Sequence, residues 1–373
     1  MSIGGHLSWV EIDIGALRHN YWLLKKRAGN AGIMAVVKAD AYGHGAIEVS
    51  KAFIEEGVAM LAVAFVKEGL ELREAGIKSP ILVFAKPSAD NIGIQLQNNL
   101  EVTISEMEDV ELVASASKKI SSEARVHLNV DTGMNRLGAQ YDEASEIAKK
   151  ISEKKELNFS GLYSHLSSSD ESDSGTTIRQ IKDYSEIIDT LKRNKINYGL
   201  LHLANSGGLL NVPDSIFDMV RLGISLYGHN PNPHKENEDN LIQVMTLKST
   251  VAMVRDVDEG KSVSYGQSWT AKRNTKVATI PVGYADGINR LLSNDMEVLI
   301  KGNRYPVVGQ VTMDMIMADV GSTNINNGDE VVIYGTQVDE SIAISDIAKR
   351  LNTIPYEICC SVSSRIPRIY VNS

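Results

Sequence analysis

The stretch Gly32–Gly45, GIMAVVKADAYGHG, joins an apolar run to a polar turn that ends in glycine. Its first seven residues, Gly32–Lys38, form a continuous run of the kind that parallel strands buried on both faces show. Apolar residues then recur at helical spacing from His44 to Glu56. The stretch therefore predicts a buried strand followed by a helix, which is one unit of a parallel α/β fold.

The same unit recurs through the first two-thirds of the chain. Further strands are predicted at Met60–Val66, Pro80–Ala85, Leu100–Ser105, Ala124–Val130, Phe159–His165, Leu200–Ala204 and Phe217–Arg221. The clearest further helices are predicted at Lys67–Ala75, Glu106–Lys119, Tyr141–Lys154 and Thr177–Arg193. Eight strand–helix units predict a (β/α)₈ TIM barrel, because a sheet closed at eight strands leaves an interior that side chains can fill.

The pattern changes after a polar linker, HNPNPHKENED at His229–Asp239. Period-two alternation follows at Met253–Val257, Val277–Val282 and Tyr305–Val311, with one helix predicted at Ser341–Leu351. We therefore expect a barrel domain at 1–232 and a mainly β C-terminal domain at 233–373. Residues 1–12, with a strand at Trp9–Ile12, are candidates to pair with the β domain.

Composition narrows the functional classes. A net charge of −9 in 373 residues gives no bulk attraction for nucleic acid or an anionic membrane. The two cysteines, Cys359 and Cys360, are adjacent and cannot bridge without severe strain, which favours a reducing compartment. The longest apolar run, Gly57–Val66, is half of what a membrane helix needs, and no secretory signal pattern begins the sequence. We expect a soluble, cytoplasmic protein.

Residues that carry chemistry collect at the predicted carboxyl ends of the strands, where barrel enzymes place their active sites. These residues are Lys38, Asn129, Arg136, His165, Asn205, Ser206, Arg221 and Gly223. Each has an ordinary explanation when taken alone: Lys38 could pair with Asp40, and His165 could be a satisfied core histidine. Their common placement on five strands favours a site. The glycines and small polar residues after strands seven and eight suit a phosphate.

The stretch Ala35–Gly45, AVVKADAYGHG, closely resembles the pyridoxal-phosphate lysine motif of the alanine racemase family. Other segments resemble the family's landmarks in the same order: DTGMNRLG, ANSGG, RLGISLYG, SVSYG, PVGYADG and VTMDM. The similarity extends from Trp9 to Arg368 and covers both predicted domains. It implies a fold-type III racemase that interconverts L-alanine and D-alanine, a peptidoglycan precursor, with serine racemase as a close variant.

Racemisation removes the α-proton from one face of a carbon and returns a proton to the other, which calls for two bases on opposite sides. The resemblance implies that Lys38 binds pyridoxal 5'-phosphate, which acts as the electron sink, and serves one face. It implies that Tyr265, from the second subunit of a homodimer, serves the other face. A free tyrosine titrates near pH 10, so His165 and Arg136 are the neighbours expected to ease its deprotonation.

The resemblance assigns further contacts. Arg221 would face the pyridine nitrogen, where its permanent proton weakens the electron sink and favours fidelity over acceleration. The other cofactor-binding residues would be Tyr42, Asn205, Ser206, Gly223 and Ile224. The substrate-binding residues would be Arg136, the backbone of Met313, Tyr284 at the entrance, and Ser364. No metal site is implied.

Three positions depart from the family pattern. Asn129 stands where many members carry a lysine carbamate that braces Arg136, so we expect a chloride ion or an ordered water there. Gln310 replaces an arginine that many members have. Ser364 stands where some members have a tyrosine near the substrate, and this leaves the choice between alanine and serine open.

Three alternatives remain at this point. A serine or mixed alanine/serine racemase would share every motif above. Pyridoxal-phosphate decarboxylases with a barrel and a β domain share the architecture, but place an acidic residue where this chain has Arg221. Non-catalytic single-barrel proteins that bind pyridoxal phosphate lack the β domain and therefore any equivalent of Tyr265.

Overall fold

Residues 7–171, 175–232, 234 and 240–372 are described by a computed structural model, and they divide into two units. The barrel unit contains Arg18–Leu226 and Asn230–Asn232. The β unit contains the described residues before Arg18, Tyr227–His229 and the described residues after Asn232. Most of the predicted linker, residues 233 and 235–239, lies outside the described residues, as do residues 1–6.

Strand β1 (Trp9–Asp13) and helix α1 (Ile14–Ala28) precede the barrel strands in the chain. Eight parallel strands then form a closed barrel in which the last pairs back to the first. They are β2 (Gly32–Val36), β3 (Met60–Val63), β4 (Ile81–Val83), β5 (Glu101–Ile104), β6 (Ala124–Asn129), β7 (Leu157–Tyr163), β8 (Leu200–His202) and β9 (Met219–Leu222). The predicted barrel is confirmed.

Helices alternate with these strands, as the hydrophobic periodicity predicted. They are α3 (Ala46–Glu55), α4 (Val66–Glu74), α5 (Ile92–Gln97), α6 (Met107–Ile120), α7 (Ala144–Glu153), α8 (Gly175–Arg193) and α9 (Ser206–Asn211), and a left-handed turn, α2 (Lys38–Gly43), precedes α3. Helix α7 shows why they pack: its buried residues Ala144, Ile147, Ala148 and Ile151 follow the i, i+3, i+4, i+7 spacing of one helix face. They belong to the core around the barrel strands.

Several predicted boundaries were wrong by a few residues. The first and sixth barrel strands end at Val36 and Tyr163, so Lys38 and His165 each lie two residues beyond a strand. Arg221, predicted at the end of its strand, lies inside β9. The helix predicted from His44 begins at Ala46. Val37 and Ser164 are buried although each lies beyond the end of its strand, so burial alone does not mark where a strand ends.

The β unit contains mainly antiparallel strands, which confirms a mainly β C-terminal part. Its strands are β10 (Met245–Thr250), β11 (Met253–Val257), β12 (Ser262–Val263), β13 (Trp269–Thr270), β14 (Thr275–Ile280), β15 (Glu297–Ile300), β16 (Asn303–Pro306), β17 (Ile316–Gly321), β18 (Glu330–Gln337), β19 (Glu340–Ile342) and β20 (Arg368–Val371). Two helices, α10 (Ile344–Arg350) and α11 (Pro355–Ser361), lie near its end. Strand β1 pairs antiparallel with β10 and parallel with β20, both in this unit.

Two predictions in the β unit were partly wrong. The strand predicted at Tyr305–Val311 ends at Pro306, because Val307 and Val308 are both buried and the alternation stops there. The helix predicted from Ser341 begins only at Ile344, since residues 340–342 form strand β19 against β18. Among the described residues, no helix is both long enough and apolar enough to cross a bilayer.

Candidate active site

Lys38 begins a left-handed turn just beyond the first barrel strand. Residues 39–42 all have φ between 52° and 54° and ψ between 40° and 51°. A left-handed backbone costs about 1–2 kcal/mol for each L-residue, so four in succession must be held by their surroundings. One such contact is the Glu68 carboxylate, which accepts the backbone N–H of Ala39 at 2.6 Å. The turn leaves Lys38 half-buried and buries Tyr42.

A cluster of hydroxyl and backbone N–H groups lies after the last two barrel strands. The Ser206 hydroxyl lies 3.2 Å from the backbone nitrogen of Gly223 and 2.9 Å from the Ser225 hydroxyl. A Cβ atom on Gly223 would lie 2.4 Å from the Tyr42 hydroxyl, so only glycine permits this approach. Hydroxyls and closely spaced backbone N–H groups are the donors that phosphate oxygens accept. The cluster therefore fits the phosphate of the implied cofactor.

Asn205, a predicted cofactor-binding residue, lies beside this cluster and forms three side-chain hydrogen bonds. Its side-chain oxygen accepts the backbone N–H of Gly208 at 2.9 Å and the Ser169 hydroxyl at 2.7 Å. Its side-chain nitrogen donates to the Leu166 carbonyl at 3.2 Å. These bonds cap helix α9 and fix the loop that carries Ser206, and the cofactor contact of Asn205 stays a prediction.

Arg221 is a buried cation held by carbonyl oxygens. Its terminal nitrogens donate to the carbonyls of His202 (2.5 Å), Ser164 (2.5 Å) and Leu203 (3.0 Å). Burial lowers the pKa of Arg221 to about 10, so the guanidinium remains protonated at neutral pH. Among the described residues its Nε–H has no hydrogen-bond partner. That donor suits an acceptor such as an unprotonated pyridine nitrogen.

His165 lies among three cationic residues. Burial first, and then the charges of Arg221, Arg136 and Lys38, lower the pKa of His165 to about 3. His165 is therefore neutral at pH 7. An Arg221 terminal nitrogen lies 3.4 Å from its Nδ1. Because a guanidinium only donates, this contact favours Nδ1 as the acceptor and a proton on Nε2 of His165.

Arg136 is exposed on the loop after β6 and has no hydrogen bond or ion pair with any described residue. Asn129 is buried, and its side-chain nitrogen donates to the Leu137 carbonyl at 3.1 Å. No described carboxylate takes the place of the lysine carbamate that the family resemblance led us to compare with Asn129. The chloride ion or water beside Asn129 and Arg136 stays a prediction.

The β unit carries the remaining predicted residues. Tyr265 begins a short turn at Tyr265–Gln267, and 73% of its surface is exposed within this chain. The residue before it, Ser264, has a φ of 69° and donates its hydroxyl to the Gln310 carbonyl at 2.9 Å. This bond ties the Tyr265 turn to the loop that leads to Met313.

Tyr284 and Met313 lie side by side. The backbone N–H of Tyr284 donates to the Thr312 carbonyl at 2.9 Å, and that of Ala285 donates to the Met313 carbonyl at 3.0 Å. The backbone N–H of Met313 has no partner among the described residues. It is available to a carboxylate, as the substrate assignment requires.

Arg365, which follows Ser364 in the chain, joins the same loops through two ion pairs that the sequence did not predict. Arg365 donates to Asp286 at 2.7 Å and to Asp314 at 2.8 Å. These carboxylates raise the pKa of Arg365 above its usual value. Ser364 itself is exposed. The motif PVGYADG contains Asp286, and the motif's acidic residue was the available signal.

The structure thus forms two groups, one in each unit. In the barrel unit, Lys38, Arg136, His165 and Arg221 lie within electrostatic range of one another, close to the phosphate cluster at the carboxyl ends of the strands. In the β unit, the loops that carry Tyr265, Tyr284, Met313 and Ser364 are joined by hydrogen bonds. The barrel thus carries a lysine, Arg221 with no carboxylate bonded to it directly, and a cluster of donors that suits a phosphate. This combination is typical of a pyridoxal-phosphate enzyme of the barrel type.

Comparison with known proteins specifies the family. The chain matches the alanine racemase N-terminal domain over residues 12–231 and the C-terminal domain over residues 244–370. An alanine racemase of Methanococcus maripaludis is 40% identical over 372 residues, which cover 98% of this chain and 99% of that protein. This protein belongs to the alanine racemase family, whose members are pyridoxal-phosphate-dependent isomerases.

Solved structures of racemases have the same fold as this chain. The alanine racemase of Clostridium difficile 630 has a TM-score of 0.93 and 34% identity, with 98% of this chain and 95% of that one covered. A histidine racemase of Leuconostoc mesenteroides subsp. sake also has a TM-score of 0.93, at 27% identity and with 100% of both chains covered. The fold and the racemase class are therefore firm, whereas the fold alone does not select the side chain of the substrate.

Proposed function

We propose that this racemase interconverts L- and D-alanine with Lys38 as one base and Tyr265 of the partner subunit as the other. The observation that carries the proposal is the group at the barrel mouth, where Lys38 lies near neutral His165 and near Arg221. Arg221 is held by carbonyl oxygens, without a carboxylate among its described partners. A decarboxylase of similar architecture would carry an acidic residue at that position.

The residues present fit pyridoxal 5'-phosphate. Lys38 would hold the aldehyde carbon, Arg221 would donate from Nε to the ring nitrogen, and the phosphate would lie on Tyr42, Ser206 and the backbone of residues 223–224. When bound, the cofactor supplies the sink for the electron pair left on the α-carbon. Asn205 would contact the cofactor as well as position Ser206.

The chain's own groups then divide the proton transfers. The Lys38 amine moves a proton on one face of the α-carbon, and the phenolic oxygen of Tyr265 of the partner subunit moves one on the other face. Neutral His165 carries its proton on Nε2 and would donate it in a hydrogen bond to the tyrosine oxygen, which stabilises the phenolate. Arg136 adds positive charge.

The same groups orient the substrate. Arg136 and the backbone N–H of Met313 would bind the substrate carboxylate, with Tyr284 at the entrance. Arg221 stays protonated, so the ring nitrogen would stay unprotonated and the carbanion less delocalised. We propose that this limits transamination at some cost in rate.

The direct test of the reaction is chiral chromatography after the holoenzyme is incubated with L-alanine and, separately, with L-serine and L-histidine. The proposal expects L-alanine to approach equal amounts of both enantiomers faster than the other two. Release of carbon dioxide from alanine without D-alanine would support a decarboxylase and reject the proposal.

A shared site makes activity depend on a dimer. We expect that mixing Lys38→Ala subunits with Tyr265→Phe subunits restores activity, because each hybrid dimer contains one site with both bases intact. With random exchange, half of the dimers are hybrid and one site in two is intact within them, so about a quarter of the parental activity should return. Racemisation is measured before and after subunit exchange, which native mass spectrometry verifies. Complete exchange without recovery would contradict the shared site.

Substitution of Ser364 tests whether this residue sets the preference between serine and alanine. If Ser364 gives space and a hydroxyl beside the β-carbon, then Ser364→Tyr should lower the ratio of kcat/KM for serine to kcat/KM for alanine by about tenfold, or about 1.4 kcal/mol. The matched control is Ser361→Ala, since Ser361 lies on the same terminal segment and its hydroxyl contacts only backbone carbonyls among the described residues. An unchanged ratio in Ser364→Tyr would remove Ser364 from the account of specificity.

Two further expectations belong to this proposal. We place the functional domain boundary between residues 232 and 233. We also expect a cytoplasmic location, which the adjacency of Cys359 and Cys360 supports, because neighbouring cysteines cannot bridge each other without severe strain.

A further inference from the structure

A buried row of hydrogen bonds extends from Arg221 across the barrel interior. Arg221 Nη1 lies 3.1 Å from His202 Nδ1, and His202 Nε2 lies 2.9 Å from His127 Nδ1. His127 Nε2 lies 2.7 Å from a carboxylate oxygen of Glu101. All four side chains are at least 96% buried. The row begins in β9, passes through β8 and β6, and ends at the first residue of β5.

Its protons can be placed by elimination. The guanidinium of Arg221 only donates, so His202 Nδ1 accepts and His202 carries its proton on Nε2. That proton is donated to His127 Nδ1, which leaves the proton of His127 on Nε2, directed at Glu101. Burial and the charge of Arg221 lower the pKa of His202 well below its usual value, in keeping with a neutral ring. The row thus runs from a cation through two neutral imidazoles to a carboxylate.

The surrounding barrel is shaped around this row. A Cβ atom on Gly161 in β7 would lie 2.2 Å from His127 Nδ1 and 3.0 Å from His202 Nε2, so a side chain there would separate the two rings. The pairing of β6 with β7 shifts register between Val126 and His127, beside the same contact. Tyr163 stacks on the His202 ring, with 4.9 Å between centroids.

We propose that Glu101 is the counter-charge of Arg221 and acts on the reaction as a positioning residue through His127 and His202. A buried guanidinium that contacts only neutral acceptors lacks a partner charge, and the row supplies one at its far end. Glu101 fixes both histidine tautomers, which in turn hold Arg221 in one orientation with its Nε–H free for the ring nitrogen. This role rests on the proposed function.

The outer end of the row provides a control. Glu101 and Arg125 both line a cleft of about 250 Å³, where Arg125 lies 3.3 Å from the other carboxylate oxygen. The Arg125 side chain is 60% exposed, so water weakens its ion pair with Glu101, and Arg125 takes no part in the hydrogen bonds of the row. Arg125→Gln should therefore leave the row as it is.

The test begins with neutron diffraction on the perdeuterated holoenzyme. We expect deuterium on Nε2 and not on Nδ1 of both His127 and His202, and none on Glu101. Deuterium on Nδ1 of either ring, or on the carboxylate, would overturn the proposal. This measurement does not involve turnover. It therefore tests the protonation of the row independently of which amino acid the enzyme racemises.

The second arm measures the number of racemisation events per transamination event in Glu101→Gln, Glu101→Leu and Arg125→Gln. Glutamine keeps an acceptor for His127 but removes the charge, whereas leucine removes both. We expect this ratio to fall by about 2- to 30-fold in Glu101→Gln, further in Glu101→Leu, and not at all in Arg125→Gln. Circular dichroism verifies that each variant is folded. If Glu101→Leu does not fold, the result for Glu101→Gln decides the test. A parental ratio in folded Glu101→Gln would reject the counter-charge role.

Discussion

Replacing Lys38 by alanine is expected to abolish both the visible absorbance of the bound cofactor and racemisation. The substitution removes the amine that would hold the cofactor covalently, together with one of the two bases, and loss of a base alone costs about 10²–10⁴-fold. Absorbance spectra and a racemisation assay on the same preparation check the prediction.

Lys67 offers a matched control for this experiment. Its side chain is 87% exposed on helix α4, and its nearest carboxylate, that of Glu71, lies 3.9 Å away. Lys67→Ala should keep both colour and rate. If Lys38→Ala kept the parental colour and activity, the cofactor would be held elsewhere, and the barrel-mouth assignment would fail with it.

Replacing Tyr265 by phenylalanine should leave the colour intact and lower racemisation in both directions by about 10²–10⁴-fold. The phenyl ring preserves shape but cannot move a proton. Tyr141→Phe is the control, because Tyr141 is also exposed and its hydroxyl bonds Glu186 at 2.8 Å, away from the predicted site. Parental rates in both directions with Tyr265→Phe would contradict the second base.

The barrel was predictable because its strands are apolar runs and its helices keep one buried face. Helix α7 illustrates this, since its buried positions follow a single helical stripe. The end of each strand was less predictable. The run at Gly32–Lys38 stays apolar past Val36, but the chain leaves the sheet there for the left-handed turn at residues 39–42, which only the surrounding contacts stabilise.

Some residues of the candidate site could be predicted from the sequence and others could not. Residues inside recognisable motifs, such as Lys38 and Arg221, were found from the sequence. Glu101, His127 and His202 were not, because each lies within a barrel strand and its partners belong to other strands. Their contacts depend on the register of four strands and on the gap that Gly161 leaves, and neither can be inferred from one strand alone.

Asn205 was recognised from its motif, but the contacts of its individual atoms could not be predicted. Its position in ANSGG predicts cofactor contact, which stays a prediction, and the structure adds that its side-chain groups bond Gly208, Ser169 and Leu166. A motif marks a residue as part of a site without stating which atoms it uses. The histidine racemase with nearly the same fold makes this point for substrates, since one scaffold accommodates different amino-acid side chains.

The central claim is that two different groups exchange the α-proton on opposite faces of the substrate. The measurement that tests it most directly is deuterium incorporation at the α-carbon of L-alanine and of D-alanine, in D₂O, with Tyr265→Phe holoenzyme. Because Lys38 remains on one face only, the account predicts that deuterium enters one enantiomer about 10²-fold faster than the other, with little inversion of either. Equal incorporation into both enantiomers at the parental rate would contradict it.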